Sequence, residues 1–106
     1  MAKYLIRANY TRSGLTGLLK EGGTSRRRAL GETIEGMGGT LEAFYYAFGD
    51  CDLYLIAALP DEATAAAVSL NIGAAGALDV SMTVLVSPET VDEAVAKAVP
   101  YRLPGA

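Results

Sequence analysis

A chain of 106 residues has material for one core, and its 51% hydrophobic and 20% charged composition is that of a folded protein, not a disordered one. A net charge of −3, with an isoelectric point near 4.8, lacks the clustered cations that nucleic-acid phosphates require. Histidine is absent, which excludes histidine-based triads and histidine-ligated zinc.

The elements follow in chain order. Lys3 to Tyr10 alternates as a strand should, with Tyr4, Ile6 and Ala8 on one face and Lys3, Leu5, Arg7 and Asn9 on the other. A helical stretch comes next in two parts. Leu15, Leu18 and Leu19 form one stripe, and Leu30, Ile34 and Met37 form a second. Gly22 and Gly23 divide the parts, Thr24 or Ser25 is expected to cap the second, and Gly38 with Gly39 ends it.

Two β-rich runs, Thr40 to Phe48 and Asp52 to Leu59, are joined by the turn residues Gly49, Asp50 and Cys51. Asp61 caps a helix reaching about Ala75, whose face of Ala63, Ala67, Leu70 and Ala74 suits close packing on a sheet. Asn71 is expected to hydrogen-bond within the core. Leu78 to Val86 is the last strand, and Ser87 with Pro88 starts a short helix striped by Val91, Ala94, Val95 and Ala98.

The order βαββαβ plus a C-terminal helix predicts a single α+β domain over residues 1–106: a ferredoxin-like, four-stranded antiparallel sheet with helices on one side. Ala63 to Leu78, the longest charge-free stretch, is too short and too rich in Ala and Gly to span a bilayer. Cys51 is alone, so no disulfide forms within the chain, and nothing at the start reads as a signal peptide; a cytoplasmic protein without membrane or nucleic-acid partners is expected.

Parity assigns Leu41, Ala43, Tyr45 and Ala47 to the helix-facing side and Thr40, Glu42, Phe44, Tyr46 and Phe48 to the open side, with Tyr54 and Ile56. Such an aromatic face is larger than a monomer usually exposes. A second copy is therefore expected to cover it through a two-fold interface, as a homodimer or higher homo-oligomer.

The motif Ala47-Phe48-Gly49-Asp50-Cys51-Asp52, then Leu53-Tyr54-Leu55-Ile56 and Pro60-Asp61, resembles the GYD-domain family. Lys20-Glu21-Gly22-Gly23 before Arg26-Arg27, and Ala65-Ala66-Ala67-Val68-Ser69-Leu70, resemble it too. The resemblance implies a dimeric α/β barrel and a family without a settled biochemical role. Cys51 stands where the name-giving tyrosine is expected, while Gly49 and Asp52 match.

Two candidate sites emerge. Arg7, Glu42, Tyr46, Asp52 and Tyr54 could line a barrel cavity that holds a small apolar or aromatic acid. The alternative there is a packed interface with an Arg7–Glu42 ion pair. Thr24, Ser25, Arg26 and Arg27 could bind an anion at a helix start, or form a solvated helix with Arg28 beside Glu32. A metal held by Glu42, Asp50 and Asp52 is disfavoured, because carboxylates at a turn more often cap it. Cys51 reads as an inert, partly buried thiol. No cofactor or metal is expected. The functional expectation is a ligand-binding or sensing module; the alternative is a cofactor-independent enzyme, monooxygenase- or isomerase-like, using Arg7, Glu42, Asp52 and the tyrosines.

Overall fold

The computed structural model describes every residue from Met1 to Ala106. Its strands are β1 (Ala2–Tyr10), β2 (Thr40–Tyr46), β3 (Leu53–Leu59) and β4 (Leu78–Leu85). Its helices are α1 (Arg12–Glu21), α2 (Gly23–Gly36), α3 (Glu62–Ala75) and α4 (Pro88–Val95). The four strands make one antiparallel sheet in the order β2-β3-β1-β4, the ferredoxin-like arrangement expected from the element order. No helix is long and apolar enough to cross a membrane.

One face of the sheet is the core. Tyr4, Ile6 and Ala8 from β1 and Leu53, Leu55, Ala57 and Leu59 from β3 are buried against Ile34 of α2 and Ala65 and Val68 of α3. The stripe Leu30, Ile34 and Met37 does what its spacing demands, and Ile34 is 0% exposed.

Cap chemistry fixes most helix ends. Asp61 accepts from the Thr64 N–H at 2.7 Å to start α3, and Gly76 closes it in the left-handed conformation. The start of α2 differs from expectation: Gly22, with φ of 85°, is the N-cap, and neither Thr24 nor Ser25 caps the helix by a side chain. The left-handed break turns the chain sharply between α1 and α2.

The helix faces also need correction. Nearly every α3 residue is apolar or small, so periodicity there carries little information; the buried side is Ala65 and Val68 with Ile72, while Leu70 faces outward. Asn71 is exposed, its Nδ2 donating to the Ala67 carbonyl at 2.7 Å. In α1 the buried residue is Gly14, and Leu15 and Leu19 are exposed. The α4 stripe is uncovered.

The largest departure lies in β2. Leu41 pairs with Ala57, but Ala43 pairs with Ile56, so Glu42 is an extra residue in a β-bulge. A bulge reverses parity downstream. Ala43 and Tyr45 therefore face the open side, while Phe44 and Tyr46 turn to the helix side and pack against the core. The assignment of Phe44 and Tyr46 to the open face, and of Ala43 and Tyr45 to the covered one, is overturned by this single residue.

Candidate functional site

The open face is built by cross-strand pairing. Tyr45, Tyr54, Arg7 and Ser81 form one row across all four strands, since Tyr45 pairs with Tyr54, Tyr54 with Arg7 and Arg7 with Ser81. Ala43, Ile56, Leu5 and Thr83 form the next, and Thr40, Ala58, Lys3 and Leu85 the one beyond. The face thus has a small apolar centre of Leu5, Ile56 and Ala43, with tyrosines and an arginine along one side. Tyr45 is 71% exposed.

Beside this row lies an open cleft of about 260 Å³ lined by Arg7, Asn9, Asp50, Cys51, Asp79, Val80 and Ser81. Arg7 is exposed and makes no ion pair; the two salt bridges of the chain are Lys3–Glu42 and Arg26–Glu21. A guanidinium with five unengaged donors beside a phenol and a serine suits a carboxylate or another planar oxyanion. Asp79, opposite Asn9 on β4, adds an acceptor for a donor on the same molecule, while the Asn9 Oδ1 already accepts from the Asp52 N–H at 3.2 Å.

Of the five residues expected to line a cavity, the structure brings Arg7 and Tyr54 together. Glu42 lies on the same face but ion-pairs with Lys3 at 3.0 Å, so the Arg7–Glu42 pair does not form. Asp52 caps the end of β1, its Oδ2 accepting from the Tyr10 N–H at 2.9 Å. Tyr46 is on the opposite face, its hydroxyl donating to the Gly23 carbonyl at 3.2 Å. Asp79 and Tyr45 escaped sequence reasoning: Asp79 shares parity with Ser81 and was legible, whereas Tyr45 was hidden by the bulge.

Tyr46 belongs to a second region. Its ring meets Phe44 edge-on at 5.2 Å and stacks on Phe48 at 6.2 Å. Phe48 has φ of 61°, a left-handed backbone that a bulky residue rarely adopts. Gly23 permits the close approach, since a Cβ there would lie 2.9 Å from the Tyr46 ring. Burial first, and the Tyr46 hydroxyl second, push the neighbouring Tyr10 phenol up to about 12.

The expected anion residues divide at this point. Ser25 donates to Glu21 Oε1 at 3.0 Å and Arg26 pairs with Glu21 Oε2 at 3.6 Å, so a carboxylate of the chain already engages both. Thr24 and Arg27 instead line an open hollow of about 310 Å³ with Gly23, Phe44 and Tyr46. Arg28 and Glu32 form no ion pair.

Cys51 is buried, with Sγ 3.2 Å from the Ala8 carbonyl oxygen and 3.3 Å from that of Leu53. One thiol proton can serve only one acceptor at a time, and the thiol ties the turn to β1. Glu42 and Asp52 are engaged elsewhere and do not converge with Asp50, and no cluster of three acidic or cysteine side chains is placed to share a cation. Beneath the helices the apolar space is nearly filled: the slot between α2, α3 and the sheet leaves about 10 Å³ at its floor and about 40 Å³ beside Tyr10 and Arg26. Such volumes admit water at most.

No curated protein and no solved structure gives a significant match. A family model described as the GYD domain matches residues 4–95, from β1 through α4. Since that match spans most of the sequence, the chain belongs to the GYD-domain family.

Proposed function

We propose that the protein is an oligomeric ligand-binding module in which a second copy covers the open sheet face and encloses the Arg7 cleft. The cleft would hold a small acid that also carries a hydrogen-bond donor. Its acidic group would lie on Arg7, its donor on Asp79, and its apolar or aromatic body along Tyr54 toward Leu5 and Ile56. The observation that carries this reading is Arg7 itself, an arginine in a β-strand with no carboxylate partner, beside a tyrosine and an apolar patch.

The patch supports the partner. Tyr45, Tyr54, Leu5 and Ile56 form a contiguous apolar and aromatic surface that self-association would remove from water. Enclosure would also lower the local dielectric and strengthen the contact between Arg7 and an anion. The reading as a cofactor-independent enzyme has less support, because Glu42 and Asp52, its proposed proton carriers, are committed to Lys3 and to the Tyr10 N–H.

The test is titration calorimetry of the full chain with a panel of hydroxy- and amino-substituted aliphatic and aromatic acids, together with native mass. Binding by wild type that falls at least about tenfold in Arg7→Gln, in a dimer or larger oligomer, is expected. A monomer at micromolar concentration, or acids that bind both proteins equally, would remove the proposal.

A further inference from the structure

Helix α4 and the tail behind it leave the body of the molecule. None of the α4 residues is buried, and α4 forms no substantial packing contact with another element. The radius of gyration is 17.1 Å, well above the roughly 13 Å of a compact chain of this length, and the longest dimension is 58 Å. Yet α4 carries the features of a helix that packs. Ser87 accepts from the Thr90 N–H at 3.1 Å, and Pro88 occupies the first turn. Val91, Ala94 and Val95 share one side by helical spacing, Ala98 lying beyond the end of the helix, and Val95 is 80% exposed. An isolated helix of 8 residues is shorter than the ~12–15 that hold together alone in water, so this stripe needs a surface to rest on.

We propose that α4 is an arm that docks on helix α1 of a second copy of the chain. The ridge of α1 has the complementary character. Leu15 and Leu19 are exposed, Leu19 at 87%, and Arg12 and Lys20 flank them. The arm has the opposite charge in Glu89, Asp92 and Glu93. Val91 and Val95 are spaced four apart, as are Leu15 and Leu19, so the two ridges can interdigitate. None of Arg12, Lys20, Glu89, Asp92 and Glu93 is spent in an ion pair within the chain. In a two-fold pair each copy gives an arm and receives one, so both stripes are covered at once. This contact is separate from the sheet-face interface and does not depend on it.

The test mixes isotopically light and heavy full-length chains, joins touching amines and carboxylates with a zero-length carbodiimide, and maps the products by mass spectrometry. The expected product is an amide between Lys20 of one isotope and Glu89, Asp92 or Glu93 of the other. Val91→Asp with Val95→Asp should weaken self-association at least about tenfold by sedimentation. Arg12→Glu with Lys20→Glu should weaken it too, and Glu89→Lys with Asp92→Lys should restore it. Cross-links confined to one isotope, cross-links from the arm to Lys3 instead of Lys20, or association unaffected by the charge reversal would overturn the proposal. In Leu5→Asp, which disturbs the sheet face alone, the Lys20 cross-link should persist; its loss there would show that the arm has no contact of its own.

Discussion

Deleting Glu42 distinguishes the bulged strand from a regular one. In the bulged arrangement Leu41 faces Ala57 and Ala43 faces Ile56, so removing the residue between them leaves every pairing partner in place. Phe44 still meets Leu55 and Tyr46 still meets Leu53. The loss is then confined to the Lys3–Glu42 ion pair, whose lysine is 57% exposed, and exposed pairs contribute at most about 1 kcal/mol. A regular β2 would respond differently. Deletion would rotate Phe44, Tyr45 and Tyr46 to the opposite faces, and misplacing large core aromatics costs about 3 kcal/mol or more. Urea unfolding separates the two, since m of about 1 to 3 kcal/mol/M turns the first case into a midpoint change under about 1 M and the second into a larger one. A midpoint falling by about 2 M or more, or a variant that does not fold, would refute the bulge and the face assignments built on it.

Two further predictions test the core and its titration. Ile34→Ala removes a side chain that is 0% exposed beside a slot with only about 10 Å³ of free space, so little can relax into the gap; a loss of about 3 to 5 kcal/mol is expected in urea unfolding, and under about 1 kcal/mol would contradict the packing. Tyr10→Phe tests alkaline stability. The Tyr10 phenol ionises at about 12 in the fold against 10.0 for the free group, so the fold favours its protonated form. That contribution is complete below pH 10.0 and is lost as pH rises toward about 12. The variant should therefore lose less stability than wild type across this window, and parallel alkaline curves would rule the effect out.

Where a residue's own chemistry decides a boundary, the sequence was sufficient. Asp61, Ser87 and Pro88 mark helix starts through hydrogen bonds or φ values that few other residues supply, and the structure places each in that role. The β1 and β3 faces were legible because both strands alternate without interruption. Where many residues could serve equally, pattern failed. Nearly any side of α3 could be buried, so Ala65 and Val68 are covered where the face through Leu70 was expected. Ser25 and Arg26 looked available to an anion because Glu21, only four and five residues earlier, lies across the Gly22 break, where the helical spacing that would have paired them is interrupted.

The β2 error has a different origin, and it governs the site. The run Leu41-Glu42-Ala43-Phe44-Tyr45-Tyr46 offers an aromatic to either face, so a strand with or without the bulge satisfies alternation locally. Position on the sheet breaks the tie. Only with the bulge does the Tyr46 ring reach Gly23 and cover the start of α2, while Glu42 remains on the open side to meet Lys3. The same extra residue brings Tyr45 into line with Tyr54 and Arg7. An aromatic is thereby moved from the core side to the row that flanks the Arg7 cleft. The bulge therefore serves two ends: it completes the core with Phe44 and Tyr46, and it furnishes the open face with the tyrosine that a second copy or a ligand would meet first.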